Sequence, residues 1–184
     1  NIVPASSDNL IEILKYRHQI LLGARQDKNP GVFKDKNNYA GSTAFVDMNL
    51  VNGTIIKSFD FYQALRHPFA RAAFMMFIVS EIHPFLDGNG RLARVMMNAE
   101  LVKEKQTKII IPTVYRDDYL GALRRFTRNR DPKPYIQMLN RAQEFSSTIQ
   151  GESIDEMQQV LEASNAFLEH TEGVLKIITK TNNV

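Results

Sequence analysis

Cysteine is absent from the 184 residues. That excludes a disulfide scaffold, a thiolate zinc site and a cysteine nucleophile. Long apolar runs are missing as well. The nearest, residues 72–79, falls far short of the ~18 that a membrane span needs, so no membrane partner is expected. The N-terminal stretch carries Asp8 and Glu12 and has no apolar h-region, so no signal peptide is expected either. The chain opens at Asn1 rather than methionine and reads as a trimmed piece of a longer protein. The four histidines show no H-x-x-x-H spacing, which argues against zinc, and His18 and His170 read as surface residues. There is no low-complexity segment. The charge excess is small, 23 basic against 20 acidic residues. It suits an anionic substrate and does not argue for nucleic acid, and no winged-helix or helix-turn-helix segment appears. The expected compartment is cytoplasmic.

What is present is enough apolar material, 43% of residues, for one packed core. Leu10, Ile13, Leu14, Ile20, Leu21 and Leu22 fall at roughly helical spacing behind two candidate caps, Ser7 and Asp8. Asn29-Pro30-Gly31 breaks that pattern, and residues 34–41 read as loop. Residues 43–46 and 54–56 are β-prone and flank Asn52-Gly53, so a small β-hairpin is expected there. Pro68 suits the first turn of a helix over 69–82 that is apolar nearly all round and belongs mid-core. Pro84 ends it by disfavouring helical geometry at His83. A second helix starts near Asn89 or Gly90. After a short extended piece at 109–112, helices are expected over 117–126, 134–145 and 153–178. The last carries a 3-4 seam from Ile154 to Ile178, weakened by Ser164, Thr171 and Gly173, that could pack on the body or form a homodimer contact.

The chemistry concentrates in residues 83–94, His-Pro-Phe-Leu-Asp-Gly-Asn-Gly-Arg-Leu-Ala-Arg. A buried helix delivers a histidine at its end. Phe85 anchors the loop, Asp87 offers a hard oxygen ligand, and Gly88 and Gly90 free the backbone so that N–H groups converge where a new helix begins. Such a helix start is an anion site. Arg91 and Arg94 lie three apart on its surface. A base, a metal ligand, a phosphate cradle and two cations thus fall within one short stretch. His67-Pro68-Phe69 repeats the first tripeptide without the Asp, Gly-Asn-Gly and Arg that follow the second, and reads as a plain helix start.

The pattern H-P-F-x-[D/E]-G-N-[G/K]-R-x-x-R resembles the signature of the Fic family at every fixed position. The resemblance runs over roughly residues 10–139, with Gly31-Val32-Phe33-Lys34 before a flap at about 40–56, and Ile110-Ile111-Pro112, Tyr119 and Asp131-Pro132-Lys133-Pro134 beyond. It implies a mainly α fold, a Fic-type helical bundle with a small β-hairpin flap beside the active-site loop. The Fic domain would span 1–145 and a C-terminal helical extension 146–184. It further implies a protein adenylyltransferase that uses ATP with Mg²⁺ or Mn²⁺ to place AMP on a Ser, Thr or Tyr hydroxyl of a target protein. In that reading His83 is the general base, Asp87 holds the metal, Gly88, Asn89 and Gly90 cradle phosphates, and Arg91 and Arg94 neutralise them. Val46 and Tyr119 are set beside the nucleotide, and the flap edge would hold the target as an added strand.

Neighbouring chemistries stay open. Family kinases carry lysine at the position of Gly90, other members move UMP or phosphocholine, and some remove AMP. A non-enzymatic interaction or regulatory module is a further class, against which the intact motif speaks. An inhibitory glutamate in a [S/T]-x-x-x-E-[G/N] helix is found nowhere convincing. Only Glu152, four residues after Thr148, comes near, and Ser153 follows it. The inhibitory helix would then lie in missing N-terminal sequence, in a partner protein, or nowhere.

Overall fold

The computed structural model describes residues 2–41 and 43–178. Ser42 of the flap and residues 179–184 of the C-terminal extension lie outside them. Among the described residues are seven α-helices and one two-stranded antiparallel sheet, the mainly helical architecture with a small hairpin that the sequence implies. The chain divides into two compact units, Asn1–Gln106 and Thr107–Val184.

In the first unit, helix α1 (Ser7–Leu21) is capped one residue earlier than expected. The Ser6 hydroxyl accepts from the Asn9 N–H at 3.1 Å, and Asp8 sits in the first turn against the positive dipole end. Its buried row is Leu10, Leu14 and His18, continued by Leu22. His18 is therefore no surface residue. It is fully buried, because four-residue spacing puts it on the same face as the leucines.

The hairpin exists, with other strands. Strand β1 (Tyr39–Ala40) pairs with β2 (Thr43–Ala44) in the register Tyr39↔Ala44 and Ala40↔Thr43. Residues 54–56 are helical, inside α2 (Val51–Ala64). The helical period wins because Val51, Ile55, Ser58, Phe59 and Tyr62 share one buried face, and the Thr54 hydroxyl donates to the Leu50 carbonyl at 2.8 Å. Asn52-Gly53 is its first turn, where a good hairpin dipeptide was overridden by packing.

Helices α3 (Pro68–Ile82) and α4 (Asn89–Lys103) pack against each other. Ala72, Met75, Met76, Val79, Leu92, Met96 and Met97 fill the space between, each large side chain stabilising by about 1.5–3 kcal/mol. One charge is buried here. Glu100 accepts from the Tyr62 hydroxyl at 2.6 Å and from Arg71 Nε at 3.0 Å, which ties α2, α3 and α4 together.

In the second unit, α5 (Arg116–Asn129) and α6 (Lys133–Thr148) pack together over Tyr119, Ala122, Tyr135, Met138 and Leu139. Helix α7 covers only Ile154–Ala163, so the long helix expected over 153–178 stops fifteen residues early. Ser164 caps it, buried, and Asn165 turns to φ 61°. The chain then folds back so that Lys176 N–H reaches the Ser164 carbonyl at 3.1 Å. The polar breaks that weakened the seam end it.

Candidate active site

His83 caps the C-terminus of α3 in the left-handed conformation, φ 50° and ψ 58°. An L-residue there costs roughly 1–2 kcal/mol, offset because the His83 N–H still reaches the Val79 carbonyl at 3.1 Å. The bend turns the chain into the loop at once, with Pro84 unable to continue the helix. The ring is fixed on two sides. Nδ1 lies 3.0 Å from the Ser80 carbonyl oxygen. A carbonyl only accepts, so the proton sits on Nδ1 and Nε2 keeps its lone pair. The Phe45 ring lies parallel on the imidazole, centroids 3.7 Å apart and 7° between planes. Burial pushes the His83 pKa below the usual histidine value, the Ser80 bond opposes this, the Lys34 charge adds to the lowering and Asp87 opposes it. The balance favours the neutral imidazole.

The loop beyond is clamped from both sides. Phe85 is fully buried. Asn89, also buried, accepts from the Phe85 N–H at 3.0 Å and donates to its carbonyl at 2.8 Å. Asn38 donates to the same carbonyl at 2.9 Å. The Asn89 side chain thus shapes the loop, while its backbone N–H joins those of Gly90 and Arg91 at the head of α4. Gly88 precedes them at φ 76°, where a Cβ would stand 2.9 Å from Leu22 Cδ2, so both conformation and space require glycine. No side chain caps this helix, and no acidic residue occupies its first turn. Arg91 and Arg94 have no carboxylate partner among the described residues. Unpaired N–H groups, a positive dipole end and two free cations make an anion site. The Gly88 N–H donates to Asp87 Oδ1 at 2.6 Å, and no hydrogen bond to the other carboxylate oxygen is found among the described residues.

Four residues that sequence reasoning did not assign to the site hold this arrangement: Lys34, Asn38, Phe45 and His18. Lys34 is buried, donates to Asn38 Oδ1 at 2.8 Å and lies 3.4 Å from the Ile82 carbonyl, while its own N–H bonds the Pro84 carbonyl at 2.9 Å. Its cation sits at the negative end of α3. Burial lowers its pKa against the attraction of Asp47. Phe45 joins the flap to His83. The flap base is closed by Asn37, which donates to Asp47 Oδ2 and accepts from the Met48 N–H, both at 2.8 Å. His18 reaches under the loop: its Nε2 lies 3.0 Å from the Asp87 carbonyl, and its Nδ1 accepts from the Gly31 N–H at 2.9 Å. For His18 a signal existed, its place on the Leu10–Leu14–Leu22 row. For Lys34, Asn38 and Phe45 no local pattern reveals the role, because the partners lie 38 to 48 residues away.

First-unit residues His83, Asp87, Gly88, Asn89, Gly90, Arg91 and Arg94 come together as one loop and helix start. Val46 is half-buried one residue beyond Phe45. Tyr119 is buried in α5 of the second unit.

The sequence profile of the Fic/DOC family matches residues 9–101, just over half of the chain. The chain belongs to the Fic/DOC family. Its matches include the protein adenylyltransferase Fic of Drosophila willistoni, 33% identical over 78 residues that make up 42% of this chain and 16% of that protein. A Fido domain-containing protein of Dictyostelium discoideum is 29% identical over 99 residues, 51% of this chain and 69% of that protein. Among solved structures, Fic-1 of C. elegans superposes with a TM-score of 0.63 at 22% identity, covering 84% of this chain and 44% of the other. A Fic family protein from Desulfovibrio desulfuricans gives 0.63 at 20% identity, over 88% and 58%. The aligned stretch is therefore about a sixth of the fly protein, and the structural likenesses bear on the fold. The family match falls in the first unit, the one that holds the whole 83–94 loop.

Proposed function

We propose that the protein transfers AMP from ATP to a Ser, Thr or Tyr hydroxyl of a target protein and releases pyrophosphate. The observation that carries this reading is one loop in which a histidine with its lone pair on Nε2 stands beside an uncapped helix N-terminus. His83 Nε2 takes the proton of the target hydroxyl. The oxygen attacks the α-phosphorus, the bond from that phosphorus to the α–β bridging oxygen breaks, and pyrophosphate leaves with the electron pair. The N–H groups at the head of α4, with Arg91 and Arg94, oppose the charge that gathers on the phosphates. Gly90 leaves the approach open, since a Cβ there would meet nothing closer than Arg94 Nη1 at 3.7 Å.

No cluster of three or more His, Asp and Glu is placed to hold a metal among the described residues. Asp87 alone still fits magnesium, which takes one or two carboxylates plus substrate phosphates. Bound at Asp87, the ion would neutralise phosphate oxygens during transfer. Val46 of the flap is assigned to the nucleotide's side of the site, and the edge of the β1–β2 hairpin to pairing with the target backbone. The assignment of Tyr119 rests on the resemblance alone. The test is labelled ATP with a lysate as the source of target. Label on the α-phosphate should reach protein and label on the γ-phosphate should not. The reverse pattern would move the chain to the kinases, and labelling from neither would end the transferase reading.

A further inference from the structure

His18 is fully buried, yet it belongs to no part of the chemistry described above. Its ring stacks on Phe85, centroids 3.8 Å apart and 7° between planes. Both nitrogens are engaged, and their partners fix the tautomer. The Gly31 N–H can only donate, so Nδ1 is the acceptor. The Asp87 carbonyl can only accept, so Nε2 carries the proton. Burial lowers the His18 pKa, against the Asp87 bond and charge and together with the Arg91 charge. The ring also lies under Gly88, whose Cβ position would be 3.4 Å from Nε2.

We infer that His18 is a positioning residue of the phosphate and metal site, holding the Asp87 carbonyl from below so that the Asp87 carboxylate and the N–H groups after Gly88 face the nucleotide. The inference rests on the reading of the 87–91 loop as that site. Its physical content is a division of labour within one ring. The Nδ1 side ties α1 to the Gly31 turn, and the Nε2 side alone sets the loop. An amide side chain can separate the two. Asparagine places an acceptor near the position of Nδ1, and glutamine places a donor near the position of Nε2. A residue that merely glues α1 to the core would lose about equally in both substitutions. A positioning residue would not, since partners that orient a metal ligand typically matter by about 10–100-fold in affinity.

The experiment is calorimetric titration of the whole chain with Mg·ATP, for wild type, His18→Asn and His18→Gln, with thermal unfolding of each in parallel. The inference predicts that His18→Gln binds within about threefold of wild type while His18→Asn weakens binding by about 10-fold or more. Equal losses in the two variants would overturn it. No binding by wild type would overturn the phosphate-site reading itself, a failure distinct from that of the variants. Should a variant fail to fold, ¹⁵N-histidine spectra of wild type decide the matter. The His18 Nε2–H resonance must move when Mg·ATP saturates the site, and an unmoved resonance contradicts the role.

Discussion

The chain contains the tripeptide His-Pro-Phe twice, and the two copies do opposite things. At the first, His67 is extended, φ −79° and ψ 128°, Pro68 is the first residue of α3, and His67 itself is exposed. At the second, His83 is left-handed at the other end of the same helix, its ring held by Ser80 and Phe45, and Phe85 is fully buried. Proline explains both backbones. It is tolerated at a helix start, where its missing N–H costs nothing, and it stops a helix that precedes it. What proline does not explain is chemistry. That comes from the residues after the second copy, where Asn89 clamps Phe85 and Gly88 admits the turn under which His18 and Leu22 pack.

The widest separation between the two copies is in rate. His83→Ala should lower AMP transfer by about 10²–10⁴-fold with Mg·ATP binding kept, because the cradle is built by other atoms. His67→Ala should leave transfer unchanged. Labelled-AMP incorporation beside calorimetry checks both, and equal effects at the two histidines would erase the distinction. Stability separates the copies next. Phe85→Ala should cost about 3–5 kcal/mol in urea unfolding, and the half-buried Phe69→Ala clearly less. Asn89→Ala leaves the buried Phe85 N–H without its acceptor and should cost about 1–3 kcal/mol, with weaker nucleotide binding as its second reading. No residue holds such a clamp on Phe69 in any bond described above.

A finer effect concerns protons. The folded His83 pKa lies below the ordinary value of 6.5, so stability from this group is full above that value and is lost as pH falls through the folded value. Transfer should likewise hold at neutral pH and fall on the acid side. Since the Lys34 charge contributes to the lowering, Lys34→Met should move that acid limb to higher pH in a pH–rate profile. An unmoved limb in folded protein would mean that Lys34 acts on the flap alone. The smallest effect expected at the chemistry itself is from proline in the flap. Replacing residues 45–48 one at a time should reduce target modification with ATP binding kept at any position that pairs with the target, and the deciding positions are Val46 and Asp47, since the Phe45 and Met48 N–H groups already bond Asn38 and Asn37. Unchanged modification at all four would end the strand-addition proposal.

How much of this was legible in the sequence follows from where the partners lie. The helix that carries Pro68 and the helix that begins at Asn89 were legible because their signals are local: a proline at a first turn, an apolar run, glycines at a helix start. The 83–94 loop was legible because its residue types are contiguous. The hairpin lies one segment earlier than the β-prone runs suggest, because Thr54-Ile55-Ile56 also fits the buried face of α2 and packing decides between the two periods. The last helix is shorter than its spacing suggests, because Leu168, Leu175 and Ile178 keep helical spacing across a turn that the buried Ser164 and the left-handed Asn165 impose. Lys34 and Phe45 fall in segments that resemble the family, yet nothing near them or near Asn38 in sequence says what they reach.

In the proposed reaction His83 presents a bare Nε2, and ¹⁵N-histidine spectra read it directly. At pH 7 the account predicts a neutral His83 ring with the proton on Nδ1, as its bond to the Ser80 carbonyl requires. A charged ring, or a proton on Nε2, would leave the site without its base and rule out His83 in that role.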